Sequence, residues 1–102
     1  MDLEKLKGRL KKYHKEDIII TDNAELQALT RGVDLDEVKE NIINPDRLVY
    51  ARPQKAQKKN EEKYDCYFAC SKHLYHRYAL ILNGKVLIVT IIKIKVALYI
   101  CK

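Results

Sequence analysis

Apolar and polar positions are patterned most clearly in the last third of the chain. Leu74–Leu82 and Lys85–Ile94 are rich in β-branched and aromatic residues, and Asn83-Gly84 lies between them. Strand-forming runs around an Asn-Gly pair predict a β-hairpin with a two-residue loop. That loop sets a register in which Leu82 faces Lys85, Arg77 faces Thr90 and Lys72 faces Lys95. Side chains alternate between faces, so Lys72, His76, Lys93 and Lys95 emerge together, at the end far from the turn. Tyr64–Cys70 alternates enough for another strand, Ser71-Lys72-His73 is turn-like, and Arg47–Arg52 is a short strand. The polar stretch from Pro53 to Lys63 reads as a mobile loop.

The first half carries a different period. Leu3, Leu6, Leu10 and Tyr13 form one stripe of a helix that Asp2 can cap, weakened by Gly8. Ile18-Ile19-Ile20-Thr21 is short and β-branched, and reads as a strand. Asp22 and Glu25 have the spacing of a capping box that starts a helix through Ala24, Ala28 and Leu29. Gly32 sits where a left-handed C-cap belongs. Asp34 then caps a further helix with Leu35, Val38 and Ile42 on its buried stripe. Val33 and Val38 are placed as a hydrophobic staple, and Asn44-Pro45 stops the helix. The order is helix, strand, two helices, then about four strands. That predicts a single α+β domain over residues 1–102, its N-terminal helices packed on one face of an antiparallel β-meander. The apolar tail Val96–Lys102 could extend the last strand or dock on a neighbour.

A chain of 102 residues fits one domain. Lys93 and Lys95 interrupt its longest apolar run, so no membrane-spanning segment is expected. The N-terminus lacks the layout of a signal peptide. Three cysteines are an odd count, which favours a reducing cytoplasm over a disulfide framework. Abundant Lys, Glu and Ile with no Trp hints at a thermophile. The net charge of +6 is unevenly spread. Residues 16–46 hold two basic and nine acidic groups, whereas residues 47–63 hold six basic and two acidic. This asymmetry suggests a polyanion as partner of the basic part, although a charged, solvated surface accounts for it equally well.

His73, His76, Arg77 and the tyrosines Tyr64, Tyr67, Tyr75 and Tyr78 are concentrated in one hairpin arm and its neighbour. A basic surface interleaved with aromatics suits RNA, because bases stack on rings while Lys and Arg take phosphates. RNA cleavage needs a general base and cations that stabilise the charged transition state. His76 could be acid or base, and Arg77 could clamp phosphate. His76, Arg77 and Tyr78 are therefore the candidate catalytic residues. Lys55, Lys58, Lys59, Lys72, Lys93 and Lys95 are the candidate nucleic-acid contacts. Strand parity sends His76 and Arg77 to opposite faces, so one site can hold both only at an edge or a bulge. The competing reading is that His76 and Tyr78 pack in the core and Arg77 pairs with a carboxylate. Cys66-x3-Cys70-x2-His73-x2-His76 has zinc-ligand types at a spacing that fits no standard zinc motif, so neither a metal nor another cofactor is expected.

Asn23-Ala24, Arg31-Gly32-Val33, Val38, Ile42 and Asn44-Pro45 resemble a signature of small prokaryotic proteins. The signature reads His-Ala-x2-Arg-x3-Arg-Gly-Ile/Val, followed by Val and Asn-Pro. That family is similar to the RelE/ParE-like toxin superfamily, including the BrnT group, and the likeness spans about residues 17–95. It implies a RelE-like fold and a metal-independent endoribonuclease that acts on free or ribosome-bound RNA, with an antitoxin protein as partner. The Arg-rich strand of such toxins would correspond to Arg77-Tyr78. Asn23 stands where the signature has His and Gln27 where it has its first Arg, which puts the activity of this member in question. The alternative is a non-enzymatic module that binds an acidic protein or nucleic acid.

Overall fold

The computed structural model describes residues 2–55 and 58–96. Three helices, α1 (Leu3–Leu10), α2 (Asp22–Arg31) and α3 (Leu35–Ile43), pack on a sheet. Its strands are β1 (Ile18–Ile20), β2 (Leu48–Gln54), β3 (Glu62–Ala69), β4 (Leu74–Leu82) and β5 (Val86–Lys95). The class is α+β, and the sheet is mixed and five-stranded: β2 to β5 pair antiparallel in sequence order, and β1 adds a fifth, parallel strand. Its order is β1-β5-β4-β3-β2, and β1 pairs in parallel with β5. The expected strand at Ile18–Ile20 is therefore part of the same sheet, which sequence pattern alone did not specify.

The helix ends follow side-chain chemistry. Asp2 accepts from the amides of Glu4 and Lys5. α2 is capped by Thr21, whose hydroxyl accepts from Ala24, so the helix starts one residue after the cap and not with an Asp22 box. Gly32 ends α2 with φ of 68°. Asp34 accepts from Asp36 at the start of α3, and Val33 and Val38 are both buried. α1 is fixed by buried Leu6 and Leu10 and by a two-pronged contact from Arg9 to Glu62 at 3.0 and 2.7 Å.

One core lies between the helices and the sheet. Leu6, Leu10, Ala24, Ala28, Val38 and Ile42 meet Leu48, Cys66, Phe68, Tyr78, Leu80, Val86, Ile88 and Ile91. Burial in β5 runs Val86, Ile88, then Ile91, so the alternation slips once. That slip is a bulge between Ala79 and Leu80 of β4 and their β5 partners Thr90 and Ile88. The hairpin loop also has one residue more than expected. Leu82 pairs with Val86, and Asn83, Gly84 and Lys85 form the connection. A two-residue loop would have set Lys85 opposite core-facing Leu82. The longer loop frees Lys85 to reach Asp17 at 3.5 Å and gives the core Val86 instead. Arg77 consequently faces Ile92, Leu74 faces Lys95, and Lys72 lies in the turn before β4.

The predicted loop over Pro53 to Lys63 is shorter, because β2 extends to Gln54 and β3 begins at Glu62. Apart from Val96, the apolar tail lies outside the described residues. No helix among them is long and apolar enough to cross a membrane.

Candidate functional site

Chemistry-bearing residues collect on both sides of the sheet. On the helix side, His76 is 3% exposed and lies directly opposite Lys93 in the β4–β5 register. Its Nδ1 is 2.8 Å from the hydroxyl of Tyr78, which accepts from Asn41 Nδ2 at 3.0 Å. Tyr78 and Asn41 are buried as well, so α3 and β4 share a polar relay inside the core. Burial chiefly lowers the His76 pKa; Glu37 opposes this, while Lys93 and Arg47 add to it. The hydroxyl of Tyr78 is pushed well above its ordinary range, mainly by burial.

Glu37 and Cys70 complete the cluster. Their ligand atoms and a His76 ring nitrogen all lie within 4.8 Å of one another. Arg47 donates to Glu37 at 3.3 Å. Burial, followed by the charge of Glu37, raises the Cys70 pKa, so the metal-free thiol is protonated at neutral pH and is a poor nucleophile. Beside the cluster is a cleft of about 400 Å³, lined by Asp34, Asp36, Glu37, Glu40, Asn41 and Arg47 among others. Of the Cys/His residues with ligand chemistry, Cys66 lies fully buried in the core, its thiol pushed up to about 12 by burial, and His73 sits in the turn. The structure thus brings together Cys70 and His76 with a residue from α3, rather than the four positions of the sequence run.

The three residues proposed as catalytic are not brought to one site. His76 and Tyr78 face the helices, while Arg77 faces the other side. β4 is an interior strand, and its bulge lies beyond Tyr78, so neither device that could reunite them operates here. The candidate RNA contacts also separate. Lys55, Lys58 and Lys59 are exposed at the hairpin-turn end, and Lys72 and Lys95 are exposed at the opposite end. The nine residues of β4 span that interval, roughly 27 Å at strand rise. Lys93 is engaged by its Nζ, which donates to the Arg31 carbonyl at 3.3 Å, where the α2 dipole favours a cation.

The far side of the sheet carries no helix among the described residues. Tyr50, Tyr67, Arg77 and Ile92 form one row across β2, β3, β4 and β5. The neighbouring rows contribute Ala69, Tyr75 and Ile94, and Arg52, Asp65 and Ala79. Tyr50 is 55% exposed, and its ring centroid is 5.5 Å from that of Tyr67. Arg77 Nε is buried and has no hydrogen-bond partner among the described residues.

Family models, curated proteins and solved structures were each compared with the chain, and none matches. Function is therefore argued from these two surfaces. The residues missed in the sequence are Glu37, Asn41 and Arg47. Asn41 had a signal: it lies three residues after Val38, on the buried stripe of α3, where a polar side chain needs a partner. Glu37, three residues after Asp34, reads in the sequence as its capping-box partner but pairs with Arg47 instead, and Arg47 had no signal; their meeting with Cys70 depends on how α3 crosses the sheet.

Proposed function

We propose that the protein binds single-stranded RNA on the helix-free face of its sheet. The observation that carries this reading is the row Tyr50–Tyr67–Arg77, with Tyr75 diagonal to it. Bases stack on aromatic rings in a sequence-tolerant way, and neighbouring cations take the phosphates. Among the described residues, Arg52, Lys63 and Arg77 are the cations of this face, and Asp65, which accepts from Gln54 at 2.8 Å, is its acid. The exposed lysines at the two sheet ends extend the positive field along the path of a bound strand. The toxin-like resemblance is compatible with RNA as partner, free or on the ribosome. Cleavage would need a general base on the RNA-bearing face, and His76 is buried on the other.

The test is fluorescence anisotropy of a labelled oligoribonucleotide over a range of salt concentrations. Affinity should fall steeply with salt through counterion release. Tyr67→Ala should raise Kd about 5- to 100-fold, the scale of one lost stacking contact. Arg77→Gln should reduce the salt slope by about one phosphate. No binding at low salt, or binding indifferent to Tyr50→Ala and Tyr67→Ala, overturns the proposal. In that case the open face is left to a protein partner, for which light scattering and co-purification are the readouts. An intact oligonucleotide after incubation, with and without ribosomes, would identify a binder rather than a nuclease.

A further inference from the structure

We propose that Glu37, Cys70 and His76 form a binding site for a zinc-like divalent ion. The ligands come from three places: α3, the turn after β3, and β4. Their ligand atoms lie within 4.8 Å of one another. Tetrahedral zinc, with a bond to sulfur of about 2.3 Å and bonds to nitrogen and oxygen of about 2.0 Å, holds such atoms roughly 3.3–3.6 Å apart. Closing the difference takes a contraction of the three side chains around the ion, for which the half-buried Glu37 has the most freedom.

A second observation concerns the imidazole. Its Nδ1 is held by the buried Tyr78 hydroxyl, and that hydroxyl by buried Asn41. Nε2 is the nitrogen left for a third party. Metal-binding histidines have their other ring nitrogen fixed in this way, which orients the ring before the ion arrives. The Asn41–Tyr78–His76 relay supplies that support without involving any other ionisable group.

The ligand set selects the ion. Thiolate and imidazole are poor partners for Mg²⁺ and Ca²⁺ and good ones for Zn²⁺. Binding is a ligand exchange with no redox step. The Cys70 sulfur forms a bond to the ion, and its proton leaves to solvent. His76 would bind as neutral imidazole through Nε2, which requires the tautomer with its proton on Nδ1; that proton is donated to the Tyr78 oxygen, and the Tyr78 hydroxyl hydrogen turns away from Nδ1. Glu37 contributes one carboxylate oxygen while Arg47 keeps the other. Arg47 and Lys93 oppose a cation here. Asp36 and Glu40 of the adjoining cleft are already paired with Lys15 at 3.2 and 3.3 Å, so Asp34 and Asp46 are the cleft carboxylates that counter them. The same cleft gives water access to a fourth coordination position.

The probe is Co²⁺, added to the full-length metal-free protein and then displaced by Zn²⁺. One equivalent should bind with a near-ultraviolet thiolate-to-metal charge-transfer band, and zinc should abolish the band and raise Tm. Cys70→Ser should remove the band, Cys66→Ala should keep it, and Glu37→Gln should weaken zinc binding about 10- to 100-fold. Because substitution of buried His76 can compromise folding, a second measurement uses the unaltered protein. Zinc should slow alkylation of Cys70, assigned by peptide mapping, and Mg²⁺ should not. The site is refuted if no equivalent is taken up, if the band survives Cys70→Ser, or if Cys70 alkylates equally fast with and without zinc.

Discussion

The hydroxyl of Tyr78 serves both Asn41 and His76 in a place closed to solvent. Tyr78→Phe keeps the ring and leaves two buried polar groups without their partner, so it should cost about 1–3 kcal/mol in urea unfolding. A neutral result would mean that the relay does not contribute to stability. His76 gives a pH signature of known sign. Its folded pKa lies below the unfolded value of about 6.5. On acidification the unfolded chain takes up a proton that the folded chain refuses. Stability should therefore fall from about pH 6.5 down to the folded pKa and then level off. His76→Gln should remove this component of the profile, whereas parallel wild-type and variant profiles would show that His76 is not held neutral. From the sequence, both a catalytic and a core role for His76 were open. Its burial came to light only with the packing of α3, which no strand pattern encodes.

At the scale of elements, the α2–α3 junction was legible because its signals are local: a glycine, a capping aspartate and two valines at staple spacing. Gly32→Ala meets no atom within 4 Å, so its cost is that of the backbone alone. It should be about 1–2 kcal/mol, measured by thermal or urea unfolding. The hairpin was legible in existence but not in register. A near-continuous apolar run from Val86 to Ile94 conceals where the alternation slips. Its three-residue loop and its bulge each shift the pairing by one, and together they restore parity beyond the bulge. For that reason His76, Lys93 and Lys95 share a face, as expected from a register that was itself incorrect. The bulge has a support in α2. Asn23 Nδ2 donates to the Val89 carbonyl at 3.3 Å, and the Ile91 amide donates to Gln27 Oε1 at 2.9 Å. These are the two positions that depart from the toxin-like signature. Gln27→Leu should strand the Ile91 amide, cost about 1–3 kcal/mol and speed exchange of that amide hydrogen. An unchanged exchange rate would show that water or another group takes over.

At the scale of the molecule, charge blocks in the sequence suggested a polyanion partner for the basic part, and the fold distributes that part over separate surfaces. Five of the six candidate lysines lie at two ends of the sheet, the sixth, Lys93, is engaged at the end of α2, and the candidate catalytic trio is split between the faces. Composition counts charges without assigning them to a face. β1 and β5 lie side by side and run in the same direction, with β1 entering from the N-terminal part of the chain and β5 leaving toward the C-terminus. Ile18–Ile20 pair with Val86–Ile88, so a pull on the two ends of the chain drags these strands along each other. All the bridging hydrogen bonds are then loaded at once, instead of opening one after another. Stretched between its ends in an optical trap, the protein should yield at a higher force than when it is pulled across β4 and β5 from anchors at Leu74 and Lys95. Those two residues face each other at the open end of a hairpin, and that pair peels apart bond by bond. Forced unfolding is set by the barrier to opening rather than by equilibrium stability, so a short parallel pair can make the chain stiff along one axis and yielding along another.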